Sequence, residues 1–496
     1  AASALAERGY RVELFEAKGH LGGKCGGWRE RVDGVEFDID HGFHAFFRQY
    51  YNLRGFLERL GLLADMAEIE DYLVVGRDGS RSRFAGLDPA PVLNLLSLAQ
   101  MKFFRVRDIV LSKARDEMGA FLEYDPELTE ETFDDVPFDR FAEEAELPAS
   151  LRLVFSTFAR AFFASEDKLS VAHLIKSFHF YYLSHDYGLV YDHPRQSYRS
   201  FIEVIENHLQ EVGVAIAKNS PIGRIVPQAI GGYEVDGRRF DHVVLATPSV
   251  VTAAIVERSP ELAVGAAESW WRRVVAHRPS EGYCVLRVWL DRPFEEDVPV
   301  FFATERATAL DSITSLHRIT EEARDWADEN EGSVLELHCY ALPPDMDGDA
   351  VANQMLVELG QLFPQLKGAT ALHRHRQLDH DFTSFHVGMG RIRCGTDTPW
   401  PGLVLAGDWV ELPIPVMLLE AAFSSGLYAA NTLAGLDGVR SHPIDSVPPR
   451  GVMAFLAPKR FAARRAAGRV PTPSVDSHET RHNEPAPHEE PRQAAE

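Results

Sequence analysis

Residues 12–44 read VELFEAKGHLGGKCGGWRERVDGVEFDIDHGFH. Val12, Leu14 and Phe15 form a short apolar strand that ends on an acid, Glu16. A carboxylate at a strand tip can accept hydrogen bonds from both hydroxyls of a ribose. Gly22, Gly23, Gly26 and Gly27 follow. Glycines there let backbone approach a phosphate or a ring closely. The same letters also describe a strand followed by a flexible surface loop, and only the rest of the chain separates the two.

The segment before it, AASALAERG (1–9), reads as the end of a helix stopped by Gly9. In a βαβ dinucleotide unit, a helix followed by an acid-tipped strand is the second half. The first strand and its G-x-G-x-x-G turn then lie upstream, with the acid roughly 20 residues past that turn. The expectation is a chain that starts inside that helix, with its N-terminal strand and glycine turn truncated. A native chain that opens on a surface helix is the alternative.

Size and charge bound the function. At 496 residues the chain exceeds a single core and predicts about two to three domains. A net charge of −23 argues against nucleic acid as a partner, though not against a local membrane-binding patch. Cys25, Cys284, Cys339 and Cys394 are far apart and form no C-x-x-C. That disfavours a disulfide framework and a metal site, so no metal is expected, and it fits a reducing, cytoplasmic compartment. No apolar run reaches the roughly 18 residues of a spanning helix.

Working outward, Leu53, Phe56, Leu57 and Leu60 recur at helical spacing within 49–63. LVVGRDGSRSRF (73–84) predicts a hairpin around Asp78 and Gly79. Residues 89–118 predict helices with an apolar face, either a buried pair or a membrane- or substrate-facing cap. Twelve acids and one base across 117–146 predict a solvated, loop-rich surface. Within it, Asp135 is placed to cap a helix that begins near Pro137. Phe155, Phe158, Phe162, Phe178, Tyr181 and Tyr182 mark two aromatic helices that line either a core or a long apolar channel.

A second amphipathic helix covers 197–213, and Val243 to Ala246 reads as a buried strand. YCVLRVWL and VLELHCYAL, within 280–345, predict a separate sheet. Near the end, Leu403 to Ala406 is a strand, Gly407 and Asp408 a turn, and a helix runs from about Val416 to Leu433. An acid behind a glycine at a strand tip suits a sugar or polyol hydroxyl. The helix N-terminus can face an electron-rich group. Further on, five bases without an acid occupy 455–470, and a stretch rich in Pro, His and Glu fills 471–496. The first reads as a solvated or membrane-touching helix, the second as disordered.

Three pieces now stand in order: the acid-tipped strand with its glycines, the ATP-ended strand of 243–248, and the Gly-Asp turn with its helix. That order resembles the FAD-dependent amine oxidase and carotenoid desaturase superfamily. Glu16, Ala17, Gly22, Gly23 and Lys24 are similar to the family's E-A-x-x-R-x-G-G-R, with His20 and Lys24 standing where arginines are usual. Lys24 keeps the charge but loses the bidentate fork. DHGFHAFFRQYYNLRGFLERLGL (40–62) is similar to the G-L-H-x-F-F-G-x-Y-x-N segment of plant-type carotene desaturases. Gly42, His44, Phe46, Phe47, Tyr50 or Tyr51, and Asn52 match, while Arg48 replaces a glycine. Leu405 to Asp408 is like their L-A-G-D, and 419–426 like their M-E-G-A-x-x-S-G. The likeness covers 1–63 and 197–436. It looks closest to the bacterial β-carotene desaturase/methyltransferases of the isorenieratene-synthase type.

The resemblance implies an α/β fold: a Rossmann-like FAD-binding domain of the amine-oxidase type with an inserted α+β substrate domain. FAD-binding pieces are expected at 1–75, 197–255 and 386–436. A helical substrate- or membrane-facing segment is expected at 76–196, the substrate-domain sheet at 256–385, and a basic then disordered tail at 437–496. Implied are FAD as cofactor, a carotene substrate in an apolar tunnel, peripheral membrane contact and an unspecified redox acceptor. The implied chemistry is desaturation that aromatises a β-ionone ring with a methyl shift. Alternatives are an acyclic phytoene or ζ-carotene desaturase, a carotene cis–trans isomerase, an amine oxidase or a non-catalytic carotenoid carrier.

By the same likeness, Glu16 would hold the adenosine ribose, and Gly22, Gly23 and Lys24 would lie near the pyrophosphate or flavin. Gly42 and His44 would approach the flavin, and Ile222 would give backbone to adenine. Asp408, behind Gly407, would hold the ribityl or phosphate region. Met417 and Leu418 would face the flavin N1–C2=O edge. No base is identifiable, and His44, Asp186, Glu411 and Glu420 are the candidates. A chain without the upstream turn is expected to bind FAD poorly.

Overall fold

Helix α1 (Ala2–Ala6) leads through Gly9, at φ +89°, into strand β1 (Glu13–Phe15). The computed structural model describes residues 1–450 except 72, 78, 84–118, 123, 149–151, 153–154, 158–159, 186, 188–189, 295–296 and 343–345. The expected helices of 89–118, Phe158, Asp186 and the 455–496 tail therefore lie outside the described residues. β1 pairs in parallel with β4 (Ala215–Ala217). A second parallel pair joins β5 (Val243–Leu245) to β9 (Leu403–Leu405). Helix α5 (Leu418–Leu436) and α1 pack on that pair through Ala4, Leu5, Val404, Ala406, Ala429, Ala430 and Leu433. The small residues let helix and strand backbones come close.

Between Glu16 and Gly42 the chain makes a hairpin of β2 (Gly27–Val32) and β3 (Val35–Asp40). Asp33 and Gly34, both at positive φ, form its two-residue turn, the geometry that matches strand twist. Helix α2 (Tyr51–Arg59) follows. Helix α4 (Tyr198–Glu211) lies against the hairpin, with Ser197 accepting the Ser200 N–H as its N-cap.

The separate sheet expected within 280–345 is present and has seven strands. Its order is β8 (Ala371–Asp379), β6 (Tyr283–Leu290), β7 (Ser333–Cys339), Ser312–Ser315, Phe301–Thr304, Leu73–Val75 and Arg81–Arg83. The last two strands are the hairpin read around Gly79, closed by Gly76 N–H to Ser80 O at 2.8 Å. Every residue of β6 and β7 is buried, which explains their continuous apolar reading. Period-two alternation still divides them. Cys284, Leu286, Val288, Leu335, Leu337 and Cys339 join a core with Val351, Met355 and Leu359 of the helix Gly348–Leu362. Arg287, Glu336 and His338 take the other face, toward β3. Cys284 and Cys339 stand directly opposite each other as free thiols, a proximity their sequence spacing conceals.

The acid-rich stretch departs in part from its reading. The helix expected near Pro137 is present as Phe138–Glu144, an unexpected one, Pro126–Phe133, precedes it, and together they bury Phe133, Phe138 and Phe141. Glu127, Glu131, Glu143 and Glu144 are exposed while the phenylalanines are buried, and Asp125 and Asp134 are buried with them as acceptors of backbone N–H groups, so charge density alone misleads. The capping acid is Asp125, which accepts the Leu128 N–H at 2.9 Å. Asp135 caps nothing, because the Phe138 N–H is already satisfied by the Leu169 carbonyl at 3.0 Å. Beyond it, α3 (Val171–Phe178) runs into a π-helical turn, His179–Leu183. There Phe155 lies 4.3 Å from Phe178, and Phe178 stacks on Tyr182 at 5.0 Å. Tyr181 shares a hydroxyl hydrogen bond with Tyr50 at 2.9 Å.

Candidate active site

Glu16 stands where β1 ends. Its carboxylate accepts the Lys18 N–H at 2.7 Å, and its carbonyl accepts the Ser220 N–H at 2.8 Å. The second bond draws the 218–224 loop, with half-buried Ile222, alongside the acid. Gly22 (φ +108°) and Gly23 (φ +53°) make the next turn. A Cβ on Gly22 would sit 2.7 Å from the Gly26 Cα, so the loop closes only with glycine there.

Lys24 reaches a segment that the sequence did not single out, residues 379–385. Its Nζ donates to the Asp381 carbonyl at 2.6 Å and lies 5.2 Å from the Phe382 ring centre. The Tyr283 hydroxyl donates to Asp381 Oδ1 at 3.1 Å, and the Thr383 hydroxyl donates to Asp408 Oδ1 at 2.8 Å. Lys24 and Asp408, nearly a whole chain apart, thus meet on one short stretch. Phe163 packs on the same stretch, stacked on Phe382 at 4.0 Å and edge-on to Tyr283 and Tyr340 at 4.9 and 5.1 Å. Phe163 is held at φ +55°, an uncommon conformation for a bulky side chain.

At Gly407, φ is +141° and a Cβ would lie 2.7 Å from Trp409 Nε1. Its N–H donates to Ser425 Oγ at 2.7 Å, which ties the turn to α5. Met417 is buried at the N-cap of α5 without any side-chain cap, and Leu418 takes φ +50°. The first N–H groups of α5 are therefore left for another acceptor.

Gly42 (φ +95°) carries the chain across β6 and β7, with its Cβ position 3.5 Å from Val285 and 3.6 Å from His338. Beneath it Arg287 donates to Glu336 Oε2 at 2.8 Å, to Asp40 Oδ2 at 3.2 Å and to the Asp38 carbonyl at 3.1 Å. Burial raises the Asp40 carboxyl, whereas Arg287 and His338 overcome burial at Glu336 and hold it low. His44 Nδ1 lies 2.8 Å from the Gly42 carbonyl. Desolvation, aided by His41, pulls the His44 imidazole down to about 4, so it is neutral.

The candidate bases separate in space. Glu411 faces Lys176 Nζ at 3.3 Å and accepts from the Tyr124 hydroxyl at 3.4 Å, and no contact links it to His44 among the described residues. Glu420 is fully buried and accepts from the Asn52 N–H at 2.9 Å, Asn52 Nδ2 at 2.8 Å and the Leu53 N–H at 3.1 Å. It caps the first turn of α2 from the first turn of α5. One further group, unread in the sequence, brings a histidine to two carboxylates: His41, Asp379 and Asp381 place one side-chain atom each within 4.8 Å of the others.

Residues 1–434 match the family of flavin-containing amine oxidoreductases. The chain belongs to that family. It is 36% identical over 472 residues to a carotenoid phi-ring synthase of Streptomyces griseus, covering 93% of this chain and 90% of that protein. It is 26% identical over 576 residues to a carotenoid phi-ring synthase of Chlorobaculum tepidum, covering 91% and 89%. Among solved structures, cyclohexylamine oxidase from Brevibacterium oxydans IH-35A superposes with a TM-score of 0.64 at 15% identity, covering 88% of this chain and 96% of that one. That likeness shows the shared fold.

The cofactor of this flavin-containing oxidoreductase is FAD, and the residues present fit it. Glu16 offers an acceptor for ribose hydroxyls. Gly22 and Gly407 are required by their own packing against Gly26 and Trp409, and beside Gly22 the Cβ side of Gly23 is open. The uncapped start of α5 offers N–H donors to an electron-rich edge.

Proposed function

We propose that this chain is an FAD-dependent carotene oxidoreductase that aromatises a β-ionone ring with a methyl shift. The observation that carries the reading is its near full-length likeness to two carotenoid phi-ring synthases. The aromatic wall of Phe163, Phe382, Tyr283 and Tyr340 supports it, since a carotene has no charged handle and must be held by apolar contact. FAD, when bound, supplies the two-electron acceptor.

The residues of the chain do the rest. Glu16, the Gly22–Gly23 backbone, Lys24, Gly42, Ile222, Gly407 and Asp408 bind the cofactor, and Thr383 holds Asp408 in place. Met417 and Leu418 would hold the first turn of α5 beside bound flavin, where its N–H groups would stabilise negative charge. Phe163 and its neighbours hold the ring and exclude water. FAD binding is assigned to 1–75, 197–255 and 386–436, and the substrate to 256–385 and 76–196. Among the described residues no helix is long and apolar enough to cross a membrane. Peripheral contact with a bilayer that stores the carotene is therefore part of the proposal.

The test supplies the full-length protein with β-carotene or ζ-carotene in micelles and reads product mass and absorption. The expected product of β-carotene is lighter by four hydrogens per ring, with ζ-carotene unchanged. Unchanged β-carotene beside desaturated ζ-carotene would sink the aromatisation reading in favour of an acyclic desaturase.

A further inference from the structure

We propose that His41 is the proton acceptor of the ring oxidation, positioned by Asp381 and Asp379; this rests on the carotene-oxidising reading above. His41 follows the last residue of β3 and is only 9% exposed. Among the described residues no side chain hydrogen-bonds to its ring. A ring nitrogen instead faces Asp379 and Asp381, all within 4.8 Å, a span that one water bridges. Its backbone is fixed by His41 N–H to the Gly26 carbonyl at 3.1 Å. Trp28 stands edge-on to the ring at 6.5 Å and Tyr283 lies tilted at 6.3 Å.

The location carries the argument. His41 adjoins Gly42 in sequence. Asp381 takes Lys24 on its carbonyl and Tyr283 on its carboxylate, and two residues on Thr383 holds Asp408. The aromatic wall of Phe163 and Phe382 packs on that same segment. The trio therefore lies where the cofactor-binding pieces meet the apolar wall. His44 has its Nδ1 at the Gly42 carbonyl and His41 is likewise held by its own backbone carbonyl; what sets His41 apart is the pair of carboxylates facing its ring. The charged and titratable groups that face His41 are Asp379, Asp381, Lys18, His44 and Tyr283. Desolvation lowers its pKa, Lys18 adds to that, and the two aspartates oppose it. The imidazole is thus neutral and able to take a proton, after which the aspartates stabilise the imidazolium.

In each two-electron oxidation a hydride leaves one ring carbon with its electron pair, and the family's flavin is its acceptor. In the first, the adjacent C–H bond breaks heterolytically. In the second, the neighbouring ring carbon is quaternary and has no C–H bond, so one of its methyls migrates with its electron pair to the carbon that lost hydride, and the C–H bond left on that carbon breaks. Its electron pair becomes the C=C π bond, and its proton forms an N–H bond on His41. Asp379 is exposed whereas Asp381 is half-buried, so the proton leaves for solvent through Asp379. One ring needs two such oxidations.

The test uses the full-length holoenzyme and His41→Gln, His41→Ala and Asp381→Asn. His41→Gln is expected to keep the wild-type FAD-to-protein ratio and melting temperature. Bleaching of its flavin by β-carotene without oxygen should slow about 10²-fold or more. Added imidazole should restore part of the rate in His41→Ala. Asp381→Asn should move the acidic limb of the kcat/KM profile to lower pH, because a carboxylate that raised the His41 pKa is gone. A His41→Gln enzyme with wild-type rate and pH profile overturns the assignment while leaving the aromatisation reading intact. FAD loss in His41→Gln, or Zn2+ binding by the wild type that this variant abolishes, overturns it too by marking a cofactor or cation site. A wild-type protein that makes no aromatic ring removes both.

Discussion

A carboxylate buried as deeply as Glu420 is governed by its neighbours. Desolvation pushes it up to about 7, against the pull of the Asn52 and Leu53 N–H groups. The folded chain then keeps a proton on Glu420 up to near pH 7, while the unfolded chain releases it near the ordinary value of 4.5. Its contribution to stability is largest below that ordinary value and is lost as pH rises toward 7. Glu420→Gln should therefore gain on the wild type by on the order of 1–3 kcal/mol between pH 5 and 8, read from urea midpoints. A gap that stays constant with pH would contradict this. Gly22→Ala belongs to the same scale. Its Cβ meets the Gly26 Cα and its φ disfavours any side chain, so stability should fall by about 1–3 kcal/mol. Flavin retained after dialysis should drop at the same time. Gly22, Gly42 and Gly407 were legible because a backbone that needs glycine leaves glycine in the sequence. His41, Asp379 and Asp381 were not, because their chemistry exists only once the end of β3 is laid beside the end of β8.

At the scale of elements, β6 and β7 show what a burial pattern reveals and what it hides. YCVLRVWL and VLELHCYAL announce two fully covered strands. They do not announce that Arg287 of one opposes Glu336 of the other, which depends on register. That pair, with Asp40, fastens the β2–β3 hairpin to the seven-stranded sheet. Arg287→Met would leave two carboxylates buried without a cation, so the expected loss is about 3–5 kcal/mol at neutral pH. The deficit should shrink as pH falls, because protonated Asp40 and Glu336 no longer need the partner. Denaturant unfolding at neutral and acidic pH checks both halves of that expectation. The acid-rich 117–146 stretch read only in part, its second helix but not its first, for the converse reason. Most of its charges report the solvent face, Asp125 and Asp134 excepted, and the spacing of Phe133, Phe138 and Phe141 reports the packed one.

Across the whole molecule, the candidate site is drawn from 16–44, 218–224, 379–385 and 407–425. The order of the first and last of these was legible and carried the family likeness. The segment that joins them was not, nor was the recruitment of the 73–83 hairpin to the edge of the inserted sheet, since pairing partners so distant leave no local trace. A ligand that touches all of these pieces stabilises the chain by mass action. Excess FAD at about 100 times its Kd should add roughly 2.7 kcal/mol to the full-length protein. Proteolysis in 16–44 and in 379–425 should slow together, and protection of only one of them would show that the pieces do not form one site.

The π-helical turn after α3 carries a consequence for how the Phe155–Phe178–Tyr182 cluster can change over time. A π turn holds an extra residue relative to an α turn, and each α-helical residue advances the chain by about 100°. Loss of one residue from His179–Leu183 would leave a continuous helix and rotate everything before it. Phe178 would swing away from Phe155, and a new row of side chains would face inward. A single-codon deletion, ruinous in most helices, is here the smallest inherited step by which a lineage could recut the packing of its aromatic core.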